Sequence, residues 1–240
     1  MEWGFFPHLA ELLSSRGFCV LRFNFSGCGM KPGDELVSGP EAFRAATFTK
    51  DLRELRAVIQ AVGHIAPESA DSERLGIVGH SRGGGIALLA ASIDDSPIQA
   101  LVTWAAVSKF DRLPPEVVNQ WRSSGEVLIV NGRTGQQLSV GIEVLHDLEA
   151  HANELDLEKA ARRRSAPWLI VHGREDETVP FAEAELLRSA AASPTELHSI
   201  PEADHTLGAR HPFVGPNPQL IEAMNATQAW LRRYLAPEPA

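Results

Sequence analysis

Apolar residues recur along the chain in two periods, and the alternation between them predicts a layered α/β protein. Phe5, Leu9, Leu12 and Leu13 share one helical face, with Gly17 placed to stop that helix. The short apolar run at residues 18–23 reads as a buried strand, and residues 24–34, which carry Gly27, Gly29 and Gly33, as the loop at its C-terminal end. Leu52, Leu55, Val58 and Ile59 mark a second amphipathic helix within residues 47–62, which leads to a strand containing Leu75, Ile77 and Val78. The order then repeats: a helix after Ser81, strands at residues 98–103 and 168–171, a helix at 182–191, a strand at 196–200 and a terminal helix over 220–235. Such alternation predicts a mostly parallel sheet with helices on both faces.

One stretch breaks the rhythm. Between residues 108 and 166 a crossover needs only a helix, yet the chain also holds a hairpin pattern (127–130, a turn containing Asn131-Gly132, then 137–140) and a helical run over 144–160. We read this as an insertion over the cleft, of the kind that excludes water and shapes specificity; a tolerated surface insertion is the alternative.

At 240 residues the chain has room for one sizeable core, so a single domain is expected over residues 1–240. A formal net charge of -9 opposes binding to phosphate backbones and anionic membrane faces, so neither nucleic acid nor membrane is expected as a partner. The first residues lack a basic segment followed by an apolar one, and no run approaches the length of a membrane span; a soluble, cytoplasmic protein is expected. Cys19 and Cys28 match no metal spacing, so no metal is expected, and Cys19, inside the apolar run, is expected to be buried as a small hydrophobe.

The chemistry lies in three loops. Gly79-His80-Ser81-Arg82-Gly83 joins the strand at 75–78 to the helix containing Ile86, Leu88 and Leu89. A strand, a sharp turn with serine at its tip and a helix lift a hydroxyl off the sheet, and Gly79, Gly83, Gly84 and Gly85 let helix and strand close together. Ligands of such sheets bind past the C-terminal strand ends, where Asp176 follows the strand at 168–171 and His205 the strand at 196–200. Serine needs an imidazole to remove its proton and a carboxylate to hold that imidazole in the right tautomer, and the chain order Ser, Asp, His is the one expected for a hydrolase on this sheet. Ser81, Asp176 and His205 are therefore the candidate nucleophile, acid and base. Glu175, Glu177 and Asp111 are rivals for the acid, and His211 for the base. His80 is read as a support for the turn, and His172 as a structural residue beside Gly173. The Arg82 N–H, at the head of its helix, is the candidate oxyanion donor. Trp104 and Trp121 are candidates for lining an acyl or alcohol pocket, with a core position the alternative.

Gly79-His80-Ser81-Arg82-Gly83-Gly84, the stretch from His172-Gly173 through Asp176 to Val179-Pro180, and Ala203-Asp204-His205-Thr206-Leu207 together resemble the motifs of the α/β-hydrolase superfamily. Within it the chain is similar to the dienelactone-hydrolase-related and prolyl-oligopeptidase-like bacterial esterases, over stretches running from Trp3 to the C-terminus. The resemblance implies the α/β-hydrolase fold and hydrolysis of carboxylic esters with no metal or organic cofactor. Dienelactone hydrolases proper use a cysteine nucleophile, so Ser81 favours a general esterase.

A further departure concerns the start. Similar members have additional strands and a His-Gly loop before the Trp3-Gly4-Phe5-Phe6-Pro7 stretch, and that loop donates a second N–H to the oxyanion. Without it a rate lower by about 100- to 1,000-fold is expected. The expectation is an incomplete version of a longer protein; the alternative is a short form in which residues 18–23 pair directly with the strand before Ser81. A serine esterase acting on small-molecule esters is the reading favoured here. A peptidase using the same residues and a non-catalytic scaffold of the same fold are the alternatives, and a propeller-like gate of the kind that accompanies peptide selectivity has no room in 240 residues.

Overall fold

The computed structural model describes residues 4–31, 33–68, 70–131, 134–191 and 194–236. In chain order the elements are α1 (Phe6–Ser15), α2 (Pro40–Arg44), α3 (Phe48–Ile65), β1 (Leu75–His80), α4 (Arg82–Ala91), β2 (Ile98–Trp104), α5 (Pro115–Ser124), β3 (Glu126–Val130), β4 (Gln137–Gly141), α6 (Ile142–Ala150), α7 (Leu157–Arg163), β5 (Trp168–Gly173), α8 (Phe181–Ala190), β6 (Thr195–Ile200) and α9 (Pro218–Leu235). Helix starts follow local chemistry: the side chains of Thr47, Asp156 and Asn217 accept hydrogen bonds from the backbone of Lys50, Lys159 and Leu220, capping α3, α7 and α9.

Strands β1, β2, β5 and β6 form a parallel sheet in that spatial order. Successive side chains of a strand point to opposite faces, and two apolar layers result. Ala100, Val102 and Trp104 of β2 with Leu169 and Val171 of β5 pack against Phe5, Leu9 and Leu13 of the first helical segment and Leu220, Trp230 and Leu231 of α9. Leu101 of β2 with Trp168 and Ile170 of β5 packs on the other face, against Leu52 and Leu55 of α3, Ile86 and Leu89 of α4 and Leu187 of α8. β5 is buried along its whole length, as expected of a strand covered by helices on both faces. Trp168 donates its indole N–H to Thr103 Oγ1 of the neighbouring strand at 2.9 Å, so this polar tip is satisfied inside the core.

The sequence expectations fail at three places. Residues 18–23 form no strand and join no sheet, and Leu21 and Cys19 are exposed. β1 is the edge of the sheet, and the direct pairing of residues 18–23 with it is not formed. An apolar run becomes a strand only when a neighbouring backbone takes up its N–H and C=O groups. The helical run expected over 144–160 is two helices, α6 and α7, because a turn at 151–154 intervenes and Asp156 starts a new helix by capping it. Trp104, a candidate pocket residue, is fully buried and donates its indole N–H to Thr227 Oγ1 of α9 at 2.9 Å. Its parity along β2 is that of Ala100 and Val102, which places it in the core beneath α1 and α9.

The stretch 108–166 contributes α5, the antiparallel hairpin β3–β4, α6 and α7. The Asn131-Gly132 turn expected for the hairpin falls partly outside the described residues, since Gly132 and Arg133 are not among them. Trp121, Val144 and Leu145 form a small cluster of their own, closed by Phe48 at the start of α3. Asp147 of α6 fastens the insertion to the body: its Oδ2 accepts the Thr49 N–H at 3.0 Å and its Oδ1 accepts the Thr49 hydroxyl. Among the described residues no helix is long and apolar enough to cross a membrane.

Replacing Trp104 by Ala should destabilise the fold by about 3–5 kcal/mol, seen as a lower urea midpoint with an unchanged slope. A cost below about 1 kcal/mol would contradict its core assignment.

Candidate active site

The parallel register brings three strand ends to one rim. His80 lies opposite Trp104 of β2, and Gly173 of β5 lies opposite Ile200 of β6. Ser81 follows directly on β1 and adopts φ 56°, a left-handed conformation rare for a residue with a Cβ. Three backbone bonds hold it there: the Ser81 N–H donates to Trp104 O at 2.8 Å, and the Ser81 carbonyl accepts from Gly84 N at 2.9 Å and Gly85 N at 3.3 Å. A Cβ on Gly79 would lie 2.5 Å from the Gly83 carbonyl oxygen and 2.8 Å from Gly84 Cα, so the turn closes only with glycine there.

On the neighbouring loops, Asp176 and His205 are brought together by a similar close approach. A side chain at Gly173 would meet the Ala203 carbonyl oxygen at 2.2 Å. Glycine lets the two loops lie in contact, and backbone bonds from Arg174 N to Ile200 O (2.9 Å) and from Glu175 N to Ala203 O (3.0 Å) fasten them.

The result is a continuous series. Ser81 Oγ is 3.0 Å from His205 Nε2, and His205 Nδ1 is 2.8 Å from Asp176 Oδ2. The other oxygen of Asp176, Oδ1, accepts from Thr178 N at 2.9 Å and Val179 N at 2.8 Å. Burial pushes this carboxyl up, but hydrogen bonds from His172, from His205 and from the Val179 N–H outweigh it and hold Asp176 below the usual carboxylate range. With the carboxylate on Nδ1 the ring carries its proton there, leaving Nε2 free to accept from the serine hydroxyl. The rivals are placed elsewhere: Glu175, Glu177, Asp111 and His211 are exposed, and His211 Nδ1 accepts from Gly4 N at 3.3 Å.

His80, expected to support the turn, makes a polar contact to the loop of His205. Its Nε2 lies 2.9 Å from the His205 carbonyl oxygen, and the two rings are 4.8 Å apart. The imidazole of His80 thus fastens the loop that carries His205. The Arg82 backbone N–H is among the first of α4, where helical N–H groups lack an intrahelical acceptor and favour a negative charge. Its guanidinium turns toward α3, with Nη2 3.1 Å from Asp51 Oδ2 and the guanidinium carbon 5.6 Å from the centre of the Phe48 ring. Burial pushes the Asp51 carboxyl up and the Arg82 charge opposes it. The sequence carried no motif for Asp51; its apolar neighbours Leu52 and Leu55 were the one sign that its helix face turns inward.

Beyond Arg82 lies a cavity of about 950 Å³ between the insertion and the body. Arg82, Phe48 and Ala46 line it on one side, and Phe110, Trp121 and Val144, all within residues 108–166, on the other. Trp121 therefore stands in the cavity wall, whereas Trp104 does not.

The model of the alpha/beta hydrolase family matches residues 1–215. The chain belongs to that family. The hydrolase shares its fold with the esterase domain of a Rhodothermus marinus protein (24% identity, 96% of this chain and 80% of that one, TM-score 0.64). It is also similar to a monoacylglycerol lipase from Paleococcus ferrophilus (19% identity, 95% and 88%, TM-score 0.66) and to a puromycin-hydrolyzing peptidase from Mycobacterium tuberculosis (22% identity, 79% and 26%, TM-score 0.55). No curated protein matches the sequence.

Because Asp176 sits below its unfolded value of about 3.9, it contributes stability that is complete above that pH and is lost as the pH falls below it. Between about pH 5 and pH 2 the wild-type unfolding free energy should therefore drop more steeply than that of Asp176→Asn. Urea titrations across that range measure it, and parallel curves would contradict the assignment.

Proposed function

We propose that this hydrolase is a serine esterase that cleaves carboxylic esters through an acyl-enzyme on Ser81. The observation that supports this best is the hydroxyl, imidazole and carboxylate in series, at 3.0 and 2.8 Å, at the C-terminal rim of the sheet. Ser81 Oγ attacks the ester carbonyl while His205 Nε2 takes its proton, and Asp176 stabilises the imidazolium that forms. The tetrahedral oxyanion binds at the Arg82 N–H. His205 then returns the proton to the departing alkoxide, which leaves as the alcohol. Water, deprotonated by the same ring, attacks the acyl-enzyme and releases the acid, restoring the Ser81 hydroxyl.

The cavity beyond Arg82 suits an apolar acyl group, aliphatic or aromatic, with Trp121 and Phe48 in its walls. The esterase and lipase among the structural neighbours favour an ester over an amide.

Ser81→Ala should lower kcat on p-nitrophenyl short-chain esters by on the order of 10⁶-fold, and undiminished turnover would place the nucleophile elsewhere. A fluorophosphonate probe should label the wild type at Ser81, as read by peptide mass; a folded protein that stays unlabelled would favour a non-catalytic scaffold. Trp121→Ala should raise KM for long-chain or aromatic acyl esters more than for acetate esters. An equal change for all acyl groups would remove Trp121 from the acyl pocket.

A further inference from the structure

His172 is buried with no exposed surface, at the end of β5, and the esterase mechanism above gives it no task. Its Nε2 lies 2.7 Å from the Val179 carbonyl oxygen and 3.3 Å from Asp176 Oδ2. Both neighbours are acceptors, so the hydrogen sits on Nε2; it bonds to the Val179 carbonyl, and the Asp176 carboxylate lies beside the same N–H. The Val179 N–H in turn donates to Asp176 Oδ1 at 2.8 Å. His172, Val179 and Asp176 thus close a ring of two hydrogen bonds and one polar contact, in which one imidazole N–H bonds the loop and lies against the carboxylate. The ring's other nitrogen, Nδ1, is buried with no hydrogen-bond partner among the described residues. An unsatisfied buried nitrogen is a cost that a hydrocarbon side chain of the same size would avoid. What imidazole adds over such a side chain is the Nε2–H.

We infer that His172 is a positioning residue of the site, acting through Asp176 on the charge and orientation felt by His205. The inference rests on the acyl-transfer reading above and extends it. Asp176 Oδ2 faces two histidine nitrogens, accepting a hydrogen bond from His205 Nδ1 at 2.8 Å and meeting His172 Nε2 at 3.3 Å. The shorter contact keeps the larger share. The longer one draws part of the charge from Oδ2 and opposes rotation of the carboxyl group about its Cβ–Cγ bond. Phe181 of α8 meets the His172 ring edge-on, at 5.9 Å and 87°, and limits its movement. Among the described residues Asp176 is the one ionisable group with a recorded polar contact to the ring, and His205 lies beyond it on the same oxygen. Loss of the His172 donor leaves Oδ2 to His205 alone. The imidazolium is then held more tightly, and the ring is less well fixed toward Ser81.

The test compares wild type with His172→Phe, which fills the volume without a donor, and His172→Gln, which restores an N–H. His172→Phe should lower kcat by about tenfold with KM little changed, and the acid limb of its kcat/KM profile should move to higher pH. His172→Gln should recover part of both. A measurement that needs no turnover accompanies these: the downfield proton NMR signal of the hydrogen between His205 Nδ1 and Asp176, identified by its loss in His205→Gln, should shift in His172→Phe. Should Phe prevent folding, His172→Met serves in its place. An unmoved signal and an unmoved pH profile in a folded donor-free variant would overturn the inference and leave His172 a packing residue. A shifted signal in a protein whose wild type hydrolyses no ester would uphold the positioning role and instead overturn the esterase reading.

Discussion

A carboxylate shut away from water has to find its hydrogen bonds inside the protein, and Asp176 organises this end of the molecule around that need. Its two oxygens have four polar contacts: hydrogen bonds from the Thr178 and Val179 backbone and from His205, and His172 Nε2 at 3.3 Å. Three of these four come from its own strand and loop. The fourth comes from the loop after β6, which must therefore be pressed against the loop after β5. Glycine at 173 permits that approach and the backbone bonds to Ile200 and Ala203 fasten it. The same contacts that satisfy the buried charge aim the His205 ring.

Ser81 is held by a different device. Its left-handed backbone stores strain, which persists because surrounding contacts over-determine it. A backbone bond to Trp104, glycine at 79 against the helix, and the next turn of α4 supply those contacts. Trp104 thus bears on the site from beneath: its carbonyl fixes Ser81 while its indole lies in the core with Thr227. Parallel pairing puts both loops at one rim because all four strands end on the same side.

The insertion adds shape to this rim. Asp147 bonds Thr49 in the first turn of α3, and Phe48, the residue before it, closes the insertion's apolar cluster and lies beneath the Arg82 guanidinium. A path of contacts therefore runs from the insertion through Phe48 to Arg82, the residue beside Ser81. The cavity it encloses is walled largely by apolar side chains, while the guanidinium of Arg82 at its edge is compensated by Asp51.

Much of this was written locally in the chain. Helical periodicity, capping residues and the glycine-flanked serine turn act over a few residues, so α1, α3, α4, β1, β2, β5, β6 and α9 could be read to within a few positions, as could the order of Ser81, Asp176 and His205. Three matters could not be read, each because it depends on a distant neighbour. Residues 18–23 have the composition of a strand, but pairing needs another backbone beside them. Trp104 and Trp121 are chemically alike, and only the packing of β2 under α9 and of α5 over α3 sends one to the core and the other to a cavity wall. Nine histidines look equivalent in one dimension. The register of β1, β2, β5 and β6 alone decides that His205 reaches both Ser81 and Asp176, that His80 holds the backbone of His205, and that His172 shares its carboxylate.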